Sequence, residues 1–278
     1  MTLNLAILQT NTGIDPAAEA ERLAAQIGDA AALGAQIIFT PEMSGLLDRN
    51  RARAAGNVRH EADDPVLAAV RAAAARHAVW VHLGSLALRG PDQKFVNRGF
   101  LIRPDGEIAA SYAKIHLFDV ALGSESWRES AAYEAGEEAV VAATPWGGLG
   151  LTICYDVRFP ALHRALAEAG AAIIAVPSAF TRPTGQAHWH VLLRARAIET
   201  GCWVIAAAQT GEHQDGRATY GHSLVISPWG EVVLDMGEAP GIGLASIDLA
   251  EVAAARSKVP ALHHARPFRM APFRMIGA

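Results

Sequence analysis

Three reactive side chains stand at the carboxyl ends of strand-like segments. Glu42 closely follows the apolar residues 37–39, Lys114 follows a run that ends at Tyr112, and Cys154 ends a short apolar run of its own. In α/β proteins the ligand crevice lies outside the carboxyl ends of the strands. A thiol nucleophile needs a cation that lowers its pKa and a base that moves its proton. Lysine and glutamate can fill those roles, so the sequence predicts nucleophilic catalysis by Cys154.

Strand-like and helix-like segments alternate along the chain that must position these groups. Asp15-Pro16 and Asp64-Pro65 each combine a capping residue with a proline at the first helical position. They predict helices that run to about Leu33 and His77. Pro104-Asp105-Gly106 is a turn signal and predicts a hairpin. Because βαβ order and hairpins both occur, we expect mixed sheets in an α/β sandwich.

The segments around the cysteine give more specific expectations. The strand before the cysteine is expected to extend over residues 149–154, and a helix is expected to begin at Pro160. A second helix is predicted over residues 186–200. The polar residues 114–138 show no period and predict an irregular connection.

Composition limits the classes of protein. The chain has 278 residues, of which 51% are hydrophobic and 19% charged, and its net charge is −4. We expect one domain over residues 1–278, because no segment has the composition of a linker. Lysine and arginine do not cluster, which argues against binding nucleic acid or an anionic membrane. No signal peptide or membrane span is evident, and two cysteines argue against a disulfide framework and favour a cytoplasmic location.

Three segments occur in a characteristic order, namely Thr40-Pro41-Glu42, residues 114–119 (Lys-Ile-His-Leu-Phe-Asp) and residues 154–160 (Cys-Tyr-Asp-Val-Arg-Phe-Pro). They resemble the signature segments of the nitrilase superfamily, the carbon–nitrogen hydrolases with a Glu-Lys-Cys triad. The resemblance extends from the first strand to Arg266-Pro267. It implies the nitrilase fold, an αββα sandwich with mixed sheets that can form four layers. It also implies catalysis without a metal or another cofactor.

Four further segments resemble the Nit-type branch, namely residues 177–180, 185–189, 193–200 and 220–223. Within that branch they are most similar to the deaminated glutathione amidases, although ω-amidases share most of them. The resemblance implies hydrolysis of the distal amide of a small 2-oxo acid. The alternatives are ω-amidase activity on 2-oxoglutaramate or 2-oxosuccinamate, an N-carbamoyl amino acid amidohydrolase, and a non-catalytic paralogue that acts as an interaction module.

The same resemblance implies a role for each triad residue. Glu42 serves as the general base, and Cys154 attacks the amide carbon. The Lys114 ammonium and the backbone N–H of Tyr155 stabilise the oxyanion. A second glutamate often joins this triad, and Glu129 stands in the matching place.

Two positions near the triad stay open. Glu125 competes with Glu129 for the place of the second glutamate, because the connection that carries both has no regular pattern. Arg158 is implied to bind the substrate carboxylate, with Phe180 and Thr184 around the pocket. Arg158 could instead form an ion pair with Asp156 or with a carboxylate on a nearby helix.

The sequence departs from the family pattern at two positions. Ala161 stands where glutamate usually follows Arg-Phe-Pro, and His190 stands where Ala-His-Trp is usually followed by glutamate. Both departures could affect the substrate pocket or an interface between subunits. The resemblance implies a homodimer or a higher homo-oligomer, formed by residues 160–169, residues 186–200 and the tail from about residue 260.

Overall fold

The computed structural model describes residues 1–90, 94–122 and 125–271, without the side chains of Leu122 and Glu125. The strands in chain order are β1 Thr2–Gln9, β2 Ile37–Phe39, β3 Trp80–Arg89, β4 Phe95–Ile102, β5 Ile108–Ala113, β6 Asp119–Leu122, β7 Glu125–Arg128, β8 Tyr133–Glu134, β9 Val140–Thr144, β10 Gly147–Leu151, β11 Ala171–Ala175, β12 Trp203–Ala206, β13 Thr210–Glu212, β14 Ala218–Tyr220, β15 Leu224–Ile226, β16 Val232–Asp235 and β17 Gly241–Asp248. The helices are α1 Pro16–Ala32, α2 Arg51–Asn57, α3 Pro65–His77, α4 Pro160–Glu168, α5 Arg182–Thr200, α6 Ala250–Lys258 and α7 Ala261–His264. Short 3₁₀ turns lie at Glu61–Asp63, Glu129–Ala131 and Cys154–Arg158.

Two sheets carry the fold. The first has the order β17-β1-β2-β3-β4-β5, with β8 beside β4, and the second has the order β16-β15-β12-β11-β10-β9. Strands β1, β2 and β3 pair in parallel, as do β10, β11 and β12, whereas the strands outside them along each order pair antiparallel. Both sheets are therefore mixed, which confirms that prediction.

Strand β1 shows how the sequence creates the layers. Leu5 and Ile7 belong to the core that the two sheets share, whereas Ala6 and Leu8 pack with the side chains of α1 and α3. Successive side chains of a strand point to opposite faces, so one apolar strand can join two cores. Helices α4 and α5 contribute to the core of the second sheet. The order helix, sheet, sheet, helix is the predicted αββα sandwich.

The helix starts follow the predicted capping chemistry. The Asp15 side chain accepts a 3.0 Å hydrogen bond from Ala17 N, and the Asp64 side chain accepts a 2.8 Å bond from Leu67 N. Each bond satisfies one amide that lacks a partner at a helix start. Helices α1 and α3 consequently begin and end within one residue of the predicted positions.

Three expectations about chain segments are wrong. Strand β10 ends at Leu151, and Cys154 begins a 3₁₀ turn rather than ending the strand. The segment expected to be irregular contains a hairpin, because β6 pairs with β7. This hairpin joins neither large sheet, so it lacks the apolar alternation that identifies a strand packed on a core. Helix α5 begins at Arg182, ahead of the predicted residue 186, with Pro183 in its first turn.

Among the described residues, no helix combines the length and the apolar composition that a membrane span requires.

Candidate active site

Glu42 lies in the turn after β2 and is 4% exposed. Its Oε2 accepts a 2.9 Å hydrogen bond from Ala179 N, which belongs to the segment after β11 in the other sheet. Gln209 Nε2 donates to the Glu42 carbonyl at 2.9 Å. The carboxylate is thus held where the carboxyl ends of strands from the two sheets meet.

Lys114 follows β5 and places its ammonium between two carboxylates. Its Nζ lies 2.9 Å from Glu42 Oε1 and 2.9 and 3.1 Å from the two Glu129 carboxylate oxygens. The residue is 2% exposed. A buried ammonium is tolerated only when it is paired with opposite charge and hydrogen-bonded. Glu42 and Glu129 provide both the opposite charge and the hydrogen-bond acceptors.

Glu129 belongs to the 3₁₀ turn that follows β7. Besides Lys114, it accepts a 2.7 Å hydrogen bond from Phe118 N. Asn97 Nδ2, on β4, lies 3.0 Å from Glu42 Oε1 and 3.4 Å from Glu129 Oε1, so it bridges the two carboxylates. The geometry therefore puts Glu129 beside Lys114, while the side chain of Glu125 lies outside the described residues.

Cys154 adopts an unusual backbone conformation at the bottom of the same cleft. Its φ angle is +49°, in the left-handed region that residues other than glycine rarely occupy. Its N–H donates to Pro177 O at 2.8 Å, which ties the turn to the segment that also carries Ala179. Such conformations occur where the surrounding structure fixes a functional group in one direction. Here that group is the thiol, which lines the cleft together with Glu42 and Lys114.

The charges of the three groups follow from burial and from their partners. Burial and the Glu42 carboxylate raise the pKa of the Cys154 thiol well above its usual value, although Lys114 opposes them. Burial also disfavours the charged forms of Glu42 and Lys114. The attraction of the Lys114 ammonium nevertheless lowers the pKa of Glu42, and the Glu129 and Glu42 carboxylates raise the pKa of Lys114. The resting site therefore contains a neutral thiol, a carboxylate and an ammonium. Lys114 lowers the pKa of the thiol, as expected, but burial and Glu42 outweigh it.

The cleft above these groups has a volume of about 990 Å³. Tyr155, Phe180 and Thr184 all line it, as expected for residues around a substrate. Arg158 is not among the described residues that line the cleft. Its guanidinium lies beside the wall, 5.4 Å from the Phe180 ring centroid and 6.0 Å from that of Tyr155.

The alternative role of Arg158 as an ion-pair partner of Asp156 is wrong. Asp156 is fully buried and accepts hydrogen bonds from Tyr112 Oη at 2.7 Å and from Ile153 N at 2.8 Å. His116 adds its backbone N–H and its ring Nδ1 to the same carboxylate. Asp156 thus holds the lysine segment against the cysteine turn. Among the described residues Arg158 forms no ion pair, and its nearest polar partner is His188 Nδ1 at 3.4 Å.

The two departures from the family pattern lie outside the cleft lining. Ala161 is exposed in the first turn of α4, so the absence of glutamate leaves no unfilled space in the core. His190 Nε2 lies 3.1 Å from Asp235 Oδ2, and His222 Nδ1 lies 2.8 Å from Asp235 Oδ1. These three residues could offer ligand atoms to a cation, since the atoms lie within 4.8 Å of one another. Hydrogen bonds account for both short distances.

Sequence reasoning missed several groups that complete the site. These groups donate hydrogen bonds to the carboxylates of Glu42 and Glu129, and they are the Asn97 side chain and the backbone N–H groups of Phe118 and Ala179. Asn97 was detectable as a polar residue in an apolar strand, since Val96 precedes it and Phe100, Leu101 and Ile102 follow. Backbone donors carry no signal in residue type.

The family model for carbon-nitrogen hydrolases matches residues 4–257. With the αββα fold and the Glu-Lys-Cys arrangement already described, this match shows that the chain belongs to the carbon–nitrogen hydrolase family. It is a hydrolase that acts on carbon–nitrogen bonds of small molecules, and the family prediction is confirmed.

Particular relatives narrow the position within the family. The chain is 39% identical to a deaminated glutathione amidase of Yersinia enterocolitica over 95% of this chain and 93% of that protein. It is 41% identical to the human deaminated glutathione amidase over 95% of this chain and 82% of that protein.

Solved structures agree with this position. The Caenorhabditis elegans NitFhit protein is 37% identical with a TM-score of 0.88, covering 95% of this chain and 65% of that one. Saccharomyces cerevisiae Nit3, a member of branch 10 of the nitrilase superfamily, is 27% identical with a TM-score of 0.84, covering 93% of this chain and 94% of that one. The chain thus spans about two thirds of the NitFhit protein and nearly all of Nit3.

Proposed function

We propose that this hydrolase cleaves the distal amide of deaminated glutathione and releases 2-oxoglutarate and cysteinylglycine, with Cys154 as the nucleophile. The observation that carries the proposal is the buried Lys114 ammonium, which two carboxylates hold beside the thiol in one cleft. The substrate rests on the names of relatives that match most of the chain.

In the first step Glu42 accepts the thiol proton while Sγ forms a bond to the amide carbon. Because the pKa of the thiol is raised and that of Glu42 is lowered, proton transfer accompanies attack rather than preceding it. The carbonyl electron pair moves to oxygen. The Lys114 ammonium and Tyr155 N–H stabilise this oxyanion, and one such donor contributes about 3–4 kcal/mol.

In the second step the C–N bond breaks. Glu42 returns the proton to the leaving nitrogen, cysteinylglycine departs as a neutral amine, and a thioester to Cys154 remains. Water then enters, Glu42 takes one of its protons, and the hydroxide adds to the thioester carbon. The C–S bond breaks, the sulfur regains the proton from Glu42, and 2-oxoglutarate leaves.

Glu129 acts through Lys114 rather than on the proton. Its two oxygens and Oε1 of Glu42 keep the ammonium charged and directed into the cleft. On the acyl side of the substrate, Phe180 and Thr184 shape the cleft and Arg158 binds the 2-oxo acid carboxylate. Two observations support this assignment: the Arg158 guanidinium lies 5.4 Å from the ring centroid of Phe180, which lines the cleft, and no described carboxylate pairs with it.

A substrate panel tests the proposal. Deaminated glutathione, 2-oxoglutaramate, an N-carbamoyl amino acid and a simple nitrile are compared with wild type and with Cys154→Ala. We expect the highest kcat/KM on deaminated glutathione and no turnover by Cys154→Ala. Preference for 2-oxoglutaramate would identify an ω-amidase instead. Turnover of only the carbamoyl compound or the nitrile would overturn the assignment to this branch, and equal activity of Cys154→Ala would overturn catalysis by the thiol.

We also propose that the chain forms a homodimer or a larger homo-oligomer through α4, α5 and the tail from about residue 260. In support, α5 buries Trp189 against the core but leaves Val191 69% and Ile198 57% exposed. Apolar side chains exposed along one helix suit contact with another protein surface. Light scattering after size exclusion should give at least twice the monomer mass for wild type and a smaller mass for Val191→Glu. A monomeric wild type would contradict this proposal.

We also propose a cytoplasmic location, which the thiol chemistry supports. Both cysteines are free thiols, and Cys154 must remain reduced to act. Cell fractionation should recover the protein with soluble cytoplasmic markers, and recovery in an oxidising compartment would contradict the proposal.

A further inference from the structure

The outer cleft is rich in arginine. Five arginines that line it form what we call the arginine rim: Arg49, Arg51, Arg128, Arg182 and Arg217. Besides Glu42 and Glu129, Asp48 is the one acidic residue among the described residues that line the cleft, and Arg53 binds both of its oxygens at 2.6 and 2.9 Å. In a chain of net charge −4, this concentration of arginines favours an anionic ligand.

Arg217 differs from the rest of the arginine rim because a buried carboxylate fixes it. The side chain of Asp215 is fully buried, and its Oδ2 accepts a 2.7 Å hydrogen bond from Arg217 Nε. The same carboxylate accepts from Arg217 N at 3.0 Å and from Arg49 N at 2.8 Å. Asp215 therefore determines where the Arg217 guanidinium lies and joins the two segments that carry Arg49 and Arg217.

The two Nη atoms of Arg217 are left for a ligand. No described residue accepts a hydrogen bond from either of them, and the side chain is 31% exposed in the cleft wall. A planar guanidinium with both terminal nitrogens available matches a carboxylate bidentately. Because Nε is already bonded to Asp215, little side-chain entropy remains to be lost when a ligand binds.

Arg217 lines the same cleft as the catalytic groups. Cys154, Lys114 and Glu42 line its bottom, and Tyr133 and Arg217 belong to the same lining. One ligand could therefore contact the thiol and extend to Arg217.

We propose that Arg217, positioned by Asp215, binds a second carboxylate of the substrate on the leaving-group side of the scissile amide. This inference rests on the proposed function. Deaminated glutathione carries a glycine carboxylate at the end of its leaving dipeptide, whereas the leaving group of 2-oxoglutaramate is ammonia and has none. Arg217 thus selects long dianionic amides over short ones.

The test compares deaminated glutathione with its C-terminal carboxamide, which has the same length but lacks the glycine carboxylate. For wild type we expect kcat/KM to be about 10- to 100-fold higher on the acid, the range of a hydrogen bond to a charged group. Arg217→Gln should lose this factor on the acid through KM and should leave the carboxamide and 2-oxoglutaramate unchanged. Arg217→Lys should recover part of the loss. Arg103→Gln, whose side chain pairs with Asp105 outside the cleft, is the matched control.

Two results would overturn the inference. An equal loss by Arg217→Gln on the acid and the carboxamide would show a structural role, and no loss on either would show that the carboxylate binds elsewhere. Both results leave the proposed function standing. Failure of wild type on every 2-oxo acid amide would instead overturn the proposed function itself.

Discussion

The bottom of the cleft and the arginine rim hold their charges under opposite conditions. At the bottom, the Lys114 ammonium is 2% exposed and contacts two carboxylates, whereas four members of the arginine rim are exposed to solvent. Buried ions interact strongly and leave a large penalty when one partner is removed, whereas exposed ions are screened by water and salt. We therefore assign catalysis to the buried network and affinity for an anionic substrate to the arginine rim. Arg217 lies between these cases, because Asp215 fixes it at the border of the cleft.

The largest effect is expected from Glu42→Gln, which preserves shape but removes the base. We expect kcat to fall about 10³- to 10⁴-fold, the upper range for a general base. Unfolding should remain cooperative, because Glu129 still pairs with Lys114. Single-turnover kinetics on deaminated glutathione measures the loss. A fall of less than tenfold would show that another group moves the proton.

A smaller effect is expected from Glu129→Gln. Lys114 keeps Glu42 as a partner but loses the Glu129 charge and one of its two acceptor oxygens, so the oxyanion donor is less well positioned. We expect kcat to fall about 10²-fold with little change in KM, as for loss of one oxyanion contribution. Glu168→Gln, in a surface pair with Arg164, serves as the control. A rise in KM alone would show that Glu129 binds substrate instead.

The pH profile tests the resting charges. The active form contains the Glu42 carboxylate, so activity is present above its pKa and is lost as the pH falls through it. Burial opposes the shift, but the Lys114 ammonium lowers the pKa of Glu42. Burial and Glu42 raise the pKa of Cys154, and the two carboxylates raise that of Lys114, both well above their usual values. We therefore expect kcat to be flat from about pH 5 to pH 9 and to fall up to tenfold per pH unit below the Glu42 pKa. A steep rise near pH 7 would contradict the neutral resting thiol.

The smallest effect is expected at an exposed member of the arginine rim. Arg182→Gln should lower kcat/KM for deaminated glutathione by about two- to threefold at low salt, and the difference should disappear at high salt. The value of kcat should not change. A salt-independent loss in kcat would place Arg182 with the buried network and remove the distinction between the two regions.

Much of the catalytic centre was predictable because its residues stand in recognisable segments. Glu42, Lys114 and Cys154 each follow or approach a strand end, and the structure brings them together in one cleft. The αββα layers were predictable for a similar reason, since strands such as β1 are apolar on both faces. These features depend on local patterns and on the order of segments.

The remaining features depend on tertiary structure. The left-handed backbone of Cys154 and the β6–β7 hairpin have no signature in residue type. The pKa of the Cys154 thiol is set by burial, Glu42 and Lys114 acting against one another, so its direction could not be deduced from Lys114 alone. The contact of Asn97 with two carboxylates required the register of β4 beside the catalytic turns.

Trapping of the acyl-enzyme tests the central claim most directly. Wild type is mixed with deaminated glutathione, quenched in acid within one turnover and measured by intact-protein and peptide mass spectrometry. We predict one 2-oxoglutaryl group bound to the peptide that contains Cys154, and none in Cys154→Ala. Turnover by wild type without an adduct, together with retained activity in Cys154→Ala, would contradict it.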